Sequence, residues 1–302
     1  MAGQLETRSL RVELEEDVHS LAFDDSGSLL AVGVEDNGIY VLDVDREARI
    51  VHREEWKGFT PYTLTWSRGF IAAGEGRLVQ VCKFPSFTCC GVPTTSLLPP
   101  RSLAVTHDNL LIIGLHDGQL LFYSMGSWGL KREGIVKLEI EDDVNDVDYR
   151  DGRVAAAVGK YVYIVSRGPG GWQPVGKIRL RDTVFHVKWI DETRLLAETH
   201  GLVLVNTESG EKSEMKDSEV LRGAKWGPYF VGVNLNGIDV YLVAPGGGIA
   251  RLARVEYEVE GLVEELAVGV KGDELRIAYV ASSDENVVNI LLVRGVSAAV
   301  KP

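Results

Sequence analysis

Acidic residues recur directly before short apolar runs at four points along the chain. They are Asp17, Asp143, Asp182 and Glu219, each one or two positions before a valine. If the apolar runs are equivalent strands of a closed array, these carboxylates surround one opening. Closely spaced carboxylates repel one another, and a bound positive charge relieves that repulsion. The pattern therefore indicates a surface that recognises a cation or a basic group.

Aromatic residues are concentrated in one short connector of the chain. Trp56 and Tyr62 stand in a short connector that also contains Phe59. An exposed ring beside carboxylates suits Arg or Lys, because cation–π attraction adds to charge pairing. Our leading hypothesis is a protein–protein interaction scaffold that binds a basic protein or peptide. Its predicted binding residues are Asp17, Trp56, Tyr62, Asp143, Asp182 and Glu219.

The same carboxylates leave a second hypothesis open, a metal-assisted hydrolase or lactonase-type enzyme. Carboxylate oxygens are the ligands that Ca²⁺ and Mg²⁺ prefer. In this alternative, a divalent cation is held by Asp17, Asp143 and Asp182, with His19 or His186. The chain contains no GxxxxGK[ST], HExxH or GxSxG motif, which are the patterns of phosphate cradles, zinc proteases and nucleophile elbows. We predict no catalytic residue and no cofactor, and favour a binding protein over an enzyme.

The three cysteines, Cys82, Cys89 and Cys90, predict free thiols. Cys89 and Cys90 are adjacent, and any one pair leaves a cysteine over, so a disulfide framework is not expected. No CxxC pair of the structural zinc type is present.

Charge narrows the class of partner. The formal net charge of the 302-residue chain is −12, which disfavours direct nucleic-acid binding and anionic membranes. An assembly subunit that reaches RNA through basic companions remains a weaker third hypothesis. The absence of a signal-like segment and of a long apolar run predicts a cytoplasmic protein. Abundant Glu, Arg and Val with few Gln and Asn suggest a thermophilic source.

The elements that must position these residues form a repeat. Residues 17–43 contain three short β-type runs separated by turns rich in Asp, Asn, Ser and Gly. The same order recurs, and the turn before the third run spaces the copies 36 to 49 residues apart. Four-stranded propeller blades have a period of about 40–45 residues. The sequence therefore predicts an all-β, seven-bladed β-propeller with four-stranded antiparallel blades.

The blade limits follow from this period, in one domain that spans 1–302. The alternating segment Ser9–Glu15 is expected to complete the last blade, which would protect an open edge. Gly295–Val300 is the alternative donor of that strand. The predicted blades lie near 17–55, 56–98, 99–140, 141–180, 181–216, 217–259 and 260–302, the last completed by 5–15.

The first unit resembles a WD40 repeat. It has an apolar strand, a Ser26-Gly27 turn, the sequence Leu30-Ala31-Val32-Gly33, and a closing Leu42-Asp43 where that family prefers Trp-Asp. This resemblance implies a propeller that binds partners. No Gly-His or Trp-Asp dipeptide is present, so the hydrogen-bonded set typical of the family is not carried over to any blade.

In a propeller of this connectivity, loops that enter a blade share one face with loops that join its second and third strands. We call this the top face, and we predict that it is acidic. Its predicted carboxylates are Glu15, Glu16, Asp17, Glu35, Asp36, Glu75, Asp117, Glu141, Asp142, Asp143, Asp182, Asp217, Glu219, Glu260, Asp284 and Glu285.

Overall fold

The computed structural model describes residues 6–126, 129–215, 220–235, 237–243, 248–255 and 261–295. Within these ranges the chain forms seven four-stranded sheets. Six sheets contain four consecutive strands, and the seventh combines the last three strands of the chain with the first. The prediction of an all-β, seven-bladed β-propeller is confirmed. One 3-10 turn, Val44–Arg46, is the helical element of the described residues. No helix in these ranges is long and apolar enough to cross a membrane.

The strands are grouped by blade, in chain order. The first three blades consist of β2 (Val18–Phe23), β3 (Leu29–Val34), β4 (Gly38–Asp43) and β5 (Arg49–Glu55); β6 (Thr63–Ser67), β7 (Phe70–Glu75), β8 (Leu78–Lys83) and β9 (Thr88–Pro93); and β10 (Ser102–Val105), β11 (Leu110–Gly114), β12 (Gln119–Gly126) and β13 (Gly129–Lys137).

The next two blades consist of β14 (Val144–Arg150), β15 (Arg153–Val158), β16 (Tyr161–Gly168) and β17 (Gly171–Arg179); and β18 (His186–Trp189), β19 (Arg194–Glu198), β20 (Leu202–Asn206) and β21 (Lys212–Glu214). The last two consist of β22 (Arg222–Trp226), β23 (Tyr229–Asn234), β24 (Gly237–Val243) and β25 (Ile249–Val255); and β26 (Val263–Lys271), β27 (Glu274–Ala281) and β28 (Asp284–Arg294), with β1 (Glu6–Glu13).

The N-terminal strand completes the seventh blade, as predicted. β1 pairs antiparallel with β28 and places Leu10 opposite Ile290. Leu10 and Val12 pack on the hydrophobic core of this blade, and Arg11 between them is exposed. The strand begins and ends earlier than the predicted Ser9–Glu15. Most of the alternative donor segment, 296–300, lies outside the described residues.

The chain packs as two compact units. The first comprises the described parts of Met1–Ile71, Leu221–Leu242 and Ala250–Pro302, and the second comprises those of Ala72–Val220 and Val243–Ile249. In the first unit, one core joins blades seven and one, and another joins blades six and seven. In the second unit, two cores join blades three, four and five in succession.

Burial explains why the strand sequences differ across a blade. Residues 30–34 of the second strand β3 are all buried, because both faces of a blade are covered by its neighbours. The outer strand β5 alternates between exposed and half-buried residues. Each fully buried Leu, Ile or Val contributes about 1.5–3 kcal/mol to folding. Continuous apolar runs therefore mark inner strands, and alternating runs mark outer ones.

The expectation of three free thiols is wrong. Cys82 of β8 and Cys89 of β9 form a disulfide, because the register of this hairpin places the two residues directly opposite each other. The turn at 84–87 sets that register, and it was not evident from the spacing of the cysteines. Cys90 forms no disulfide and the residue is exposed overall, but its Sγ atom lies against the carbonyl of Val81, and desolvation there raises the pKa of the thiol.

Candidate partner-binding site

A connector in the first unit is held against an acidic hairpin. The loop after β5 lies beside the β3–β4 turn, and three hydrogen bonds join the loop to the turn. The backbone N–H of Trp56 donates to the Asn37 carbonyl (3.3 Å), and that of Gly58 donates to the Asp36 carbonyl (3.1 Å). The N–H of Asp36 donates to the Thr60 hydroxyl (3.0 Å). Within this unit, the two kinds of loop therefore lie at the same end of the blade.

Three carboxylates belong to this arrangement. The backbone N–H of Glu35 donates to the carbonyl of Asp17 (2.9 Å), so the segment that enters β2 lies beside the hairpin that carries Glu35 and Asp36. Among the residues that the structure describes, no Lys, Arg or His nitrogen lies within 4.0 Å of these three carboxylates. Their charges are therefore not neutralised by ion pairs within the described chain.

Two aromatic residues complete the arrangement. Tyr62 is 47% exposed, and its ring centroid lies 5.1 Å from that of His19. Trp56 is half-buried and packs edge-on against Phe59, also at 5.1 Å. Beneath Tyr62, the Nε2 atom of His19 is buried and has no hydrogen-bond partner within the described ranges.

We call this group of residues the acidic–aromatic patch. It contains three residues that the sequence predicted and two, from the β3–β4 turn, that the sequence assigned only to the general top face. The patch consists of Asp17, Glu35, Asp36, Trp56 and Tyr62.

Asp143 lies in the second unit and is already paired. Its Oδ1 atom lies 2.7 Å from Nδ1 of His116, and Arg101 Nε lies 3.8 Å from its Oδ2. His116 belongs to the turn between β11 and β12, so a loop entering one blade is tied to a turn of the preceding blade. The sequence did not indicate this partner, and the pairing gives Asp143 a structural role that Asp17 lacks.

Asp182 also lies in the second unit, on the wall of an open cavity of about 640 Å³ between blades four and five. Arg181 and Lys212 line the same cavity. The immediate surroundings of Asp182 are therefore more basic than the sequence suggested. Glu219 lies outside the described residues.

The residues of the metal-dependent alternative have other surroundings. His186 of β18 lies directly opposite Glu198 of β19, and its Nδ1 atom is 2.7 Å from a Glu198 carboxylate oxygen that is buried with the rest of that side chain. Within the described part of the chain, no three His, Cys, Asp or Glu side chains are grouped so that they could hold a metal ion. No observation favours the hydrolase hypothesis.

Comparisons with known proteins identify the class of fold. No family model matches the sequence, and no curated protein matches it. Solved structures do match. One described as the structure of U3-55K aligns with a TM-score of 0.75 at 12% identity, over 95% of this chain and 98% of that one. The RRP9 WD40 repeats align with a TM-score of 0.76 at 13% identity, over 95% and 97%.

A third match comes from a structure described as a complex. A chain from a structure described as the mitotic checkpoint complex aligns with a TM-score of 0.73 at 14% identity, over 94% of this chain and 93% of that one. At these identities the likeness concerns the fold. The chain has the same seven-bladed β-propeller fold as the RRP9 WD40 repeats, and the resemblance seen in its first repeat is confirmed at the level of the fold.

Proposed function

We propose that this protein is an interaction scaffold whose acidic–aromatic patch binds a basic segment of a protein partner. The observation that carries the proposal is the hydrogen-bonded junction between the loop at 56–62 and the hairpin at 35–37. It holds an exposed tyrosine beside carboxylates that have no ion pair in the described chain. One of the similar structures is described as a complex, which is consistent with a role in assembly.

The physical chemistry of the patch favours an Arg- or Lys-bearing segment. Unpaired carboxylates attract a cation, and a net charge of −12 increases the rate of encounter with a basic partner. The exposed Tyr62 ring offers a cation–π surface, which contributes about 0.5–1 kcal/mol at exposed positions. Nucleic acid would bring further negative charge to the same carboxylates, so a protein is the better fit.

We propose the cytoplasm of a thermophile as the cellular setting. Disulfides are uncommon in the cytosol of mesophiles, but intracellular proteins of hyperthermophiles contain many. The bond between Cys82 and Cys89 is compatible with that setting. The composition, low in Gln and Asn and rich in Glu and Arg, agrees with it.

A binding experiment tests the patch. A fluorescent decapeptide of alternating Lys and Gly is titrated with the protein, and fluorescence anisotropy reports the dissociation constant. The double variant Asp17→Lys/Asp36→Lys should bind at least about tenfold more weakly, which corresponds to about 1.4 kcal/mol. Two attractive contacts become repulsive, whereas the backbone hydrogen bonds of the loop remain.

The control changes charge by the same amount elsewhere. Glu192 and Asp273 are exposed carboxylates in turns between first and second strands, at the opposite end of their own blades. Glu192→Lys/Asp273→Lys should leave the dissociation constant within about twofold, because exposed charges in salt act only over a Debye length of about 8–10 Å. Equal weakening by both double variants would contradict a defined site.

A further inference from the structure

The cavity beside Asp182 has a charge opposite to that of the protein as a whole. It lies between the end of β17 in blade four and strands β20 and β21 in blade five, and its volume is about 640 Å³. Its charged lining consists of Arg179, Arg181 and Lys212 with Asp182 and Glu214, and His200 also lines it. Three permanent cations therefore face two carboxylates, in a chain that has an excess of twelve negative charges.

The cations of this cavity have no counter-ion in the described chain. No described carboxylate oxygen lies within 4.0 Å of the side-chain nitrogens of Arg179, Arg181 or Lys212. All three side chains are exposed. A further cation is close, because Lys160 Nζ donates to the backbone carbonyl of Arg181 (3.1 Å). Positive charge is concentrated here, and the described structure leaves it free to pair with a ligand.

A second cavity in the same unit has the opposite character. It measures about 310 Å³ and lies between blades three and four. Its Arg167 is 2.7 Å from Glu133, and its Asp108 accepts a 2.5 Å hydrogen bond from Tyr149. The charged groups of this second cavity are paired with neighbouring side chains, and these pairs connect the two blades. The cavity beside Asp182 lacks such internal pairing, which distinguishes a binding surface from a structural network.

We propose that the cavity lined by Arg179, Arg181 and Lys212 binds an acidic peptide segment of a protein partner. The guanidinium groups of Arg179 and Arg181 can each hold a carboxylate through two parallel hydrogen bonds, and Lys212 adds a point charge. Lys212 belongs to β21, a three-residue outer strand of blade five. An extended acidic segment can therefore lie along this edge with its carboxylates directed toward the three cations.

The lining favours a peptide over single-stranded nucleic acid. Single-strand sites combine a long basic groove with aromatic rings on which bases stack. The described lining of this cavity includes no Phe, Tyr or Trp, and Asp182 and Glu214 would repel a continuous phosphate backbone. A peptide with separated carboxylates avoids that repulsion. This surface shares no residue with the acidic–aromatic patch, so the two proposals can fail separately.

The test uses the full chain and a fluorescent decapeptide of alternating Glu and Gly. Arg181→Glu/Lys212→Glu should weaken binding at least about tenfold, and the milder Arg181→Gln/Lys212→Gln should weaken it about threefold. The matched control is Lys83→Glu/Lys131→Glu, which changes net charge equally at exposed lysines outside the cavity. It should alter binding less than twofold. Circular dichroism checks that each variant is folded, and the milder pair serves if the reversal does not fold.

Three results would overturn the proposal. The first is failure of the wild-type protein to bind the Glu peptide more tightly than a matched Gln peptide. The second is an equal loss of binding in the control. The third is tighter binding of a ten-nucleotide oligouridine than of the Glu peptide, with loss of oligouridine binding in the same variants. This result would assign the cavity to RNA. Binding of the Lys peptide should be no weaker in Arg181→Glu/Lys212→Glu, which separates this surface from the acidic–aromatic patch.

Discussion

Ser20 and Gly33 lie directly opposite each other on the first two strands of blade one, and the serine hydroxyl fills the space above the glycine. That hydroxyl donates to the carbonyl of Pro61, which leads into the next blade. A Cβ atom at Gly33 would contact the hydroxyl and would lie 2.7 Å from the Pro61 carbonyl oxygen. The glycine therefore allows the backbone of the following blade to approach closely.

The same relationship recurs in blade three. Ser102 lies opposite Gly114 and donates to the Val144 carbonyl at 2.8 Å. A Cβ atom at Gly114 would lie 2.7 Å from a methyl group of Val144. The glycine that ends the Leu-Ala-x-Gly segment of the repeat thus has a steric reason. It lies at the contact between consecutive blades rather than in a turn.

We predict that Gly33→Ala lowers the free energy of unfolding by about 2 kcal/mol, because overpacking a tight contact costs about 1–3 kcal/mol. Urea denaturation followed by circular dichroism measures the change. Gly170→Ala is the control, since a Cβ atom there would meet no atom within 4 Å. Similar losses for both variants would mean that the contact at Gly33 is not the cause.

A double-mutant cycle tests the contact itself. Ser20→Ala should cost about 1 kcal/mol by leaving the buried Pro61 carbonyl without its donor. In the Gly33→Ala background the same change should cost less, because removing the hydroxyl makes room for the new methyl group. Residues in contact show such coupling, whereas distant residues give additive effects. Additive costs would contradict the steric account.

The blades could be predicted from sequence because their signals are local. Turn residues, alternating outer strands and continuous apolar inner strands are each short segments of consecutive residues, and the repeat multiplies the signal. The closing strand was predictable for the same reason, since Leu10 and Val12 alternate with polar residues and both pack on the core. Local patterns, however, do not report which side chains meet across a blade boundary.

The pairings that distinguish one acidic residue from another are contacts across a blade boundary or between strands, which local patterns do not report. Asp143 and His116 are 27 residues apart and meet only because a loop and a turn share one end of neighbouring blades. Likewise, the disulfide depends on the register of the β8–β9 hairpin rather than on a seven-residue spacing. The strands and loops of the candidate site could therefore be predicted from the sequence, but whether each carboxylate is paired could not.

The disulfide should stabilise the protein by about 2 kcal/mol, as expected for a bond that closes a short loop. Dithiothreitol should lower the wild-type free energy of unfolding to that of Cys82→Ala/Cys89→Ala, which should not respond to the reductant. Cys90→Ala should respond as the wild type does. Thiol titration in denaturant should detect one thiol before reduction and three afterwards, and three at the outset would refute the bond.

Asp45, at the junction of blades seven and one, makes a pH-dependent contribution to the stability of the protein. Burial alone would raise the pKa of this carboxyl, but hydrogen bonds from Lys271 and Arg276 outweigh it and lower the pKa to about 2. The Arg276 contact measures 2.7 Å, and the same guanidinium donates to the Gly27 carbonyl. Because the unfolded pKa is about 3.9, this stability is present above that value and is lost as pH falls toward 2.

We therefore expect Asp45→Asn to cost about 2 kcal/mol near neutral pH, in the range of hydrogen bonds to charged groups. Its disadvantage relative to the wild type should shrink between about pH 5 and about pH 2.5, as the wild-type carboxyl is protonated. Urea denaturation of both proteins across this range measures the difference. A difference that stays constant with pH would show that the charge of Asp45 does not contribute.

The role of Tyr62 in the acidic–aromatic patch can be separated from charge. Tyr62→Phe keeps the ring and should leave binding of the Lys peptide nearly unchanged, whereas Tyr62→Ala should weaken it about threefold, as expected for an exposed cation–π contact. Raising the salt concentration should weaken binding to the wild type and to Tyr62→Ala by similar factors, because both keep Asp17 and Asp36. If Tyr62→Phe lost as much affinity as Tyr62→Ala, the hydroxyl rather than the ring would be the contact, and the cation–π assignment would be wrong.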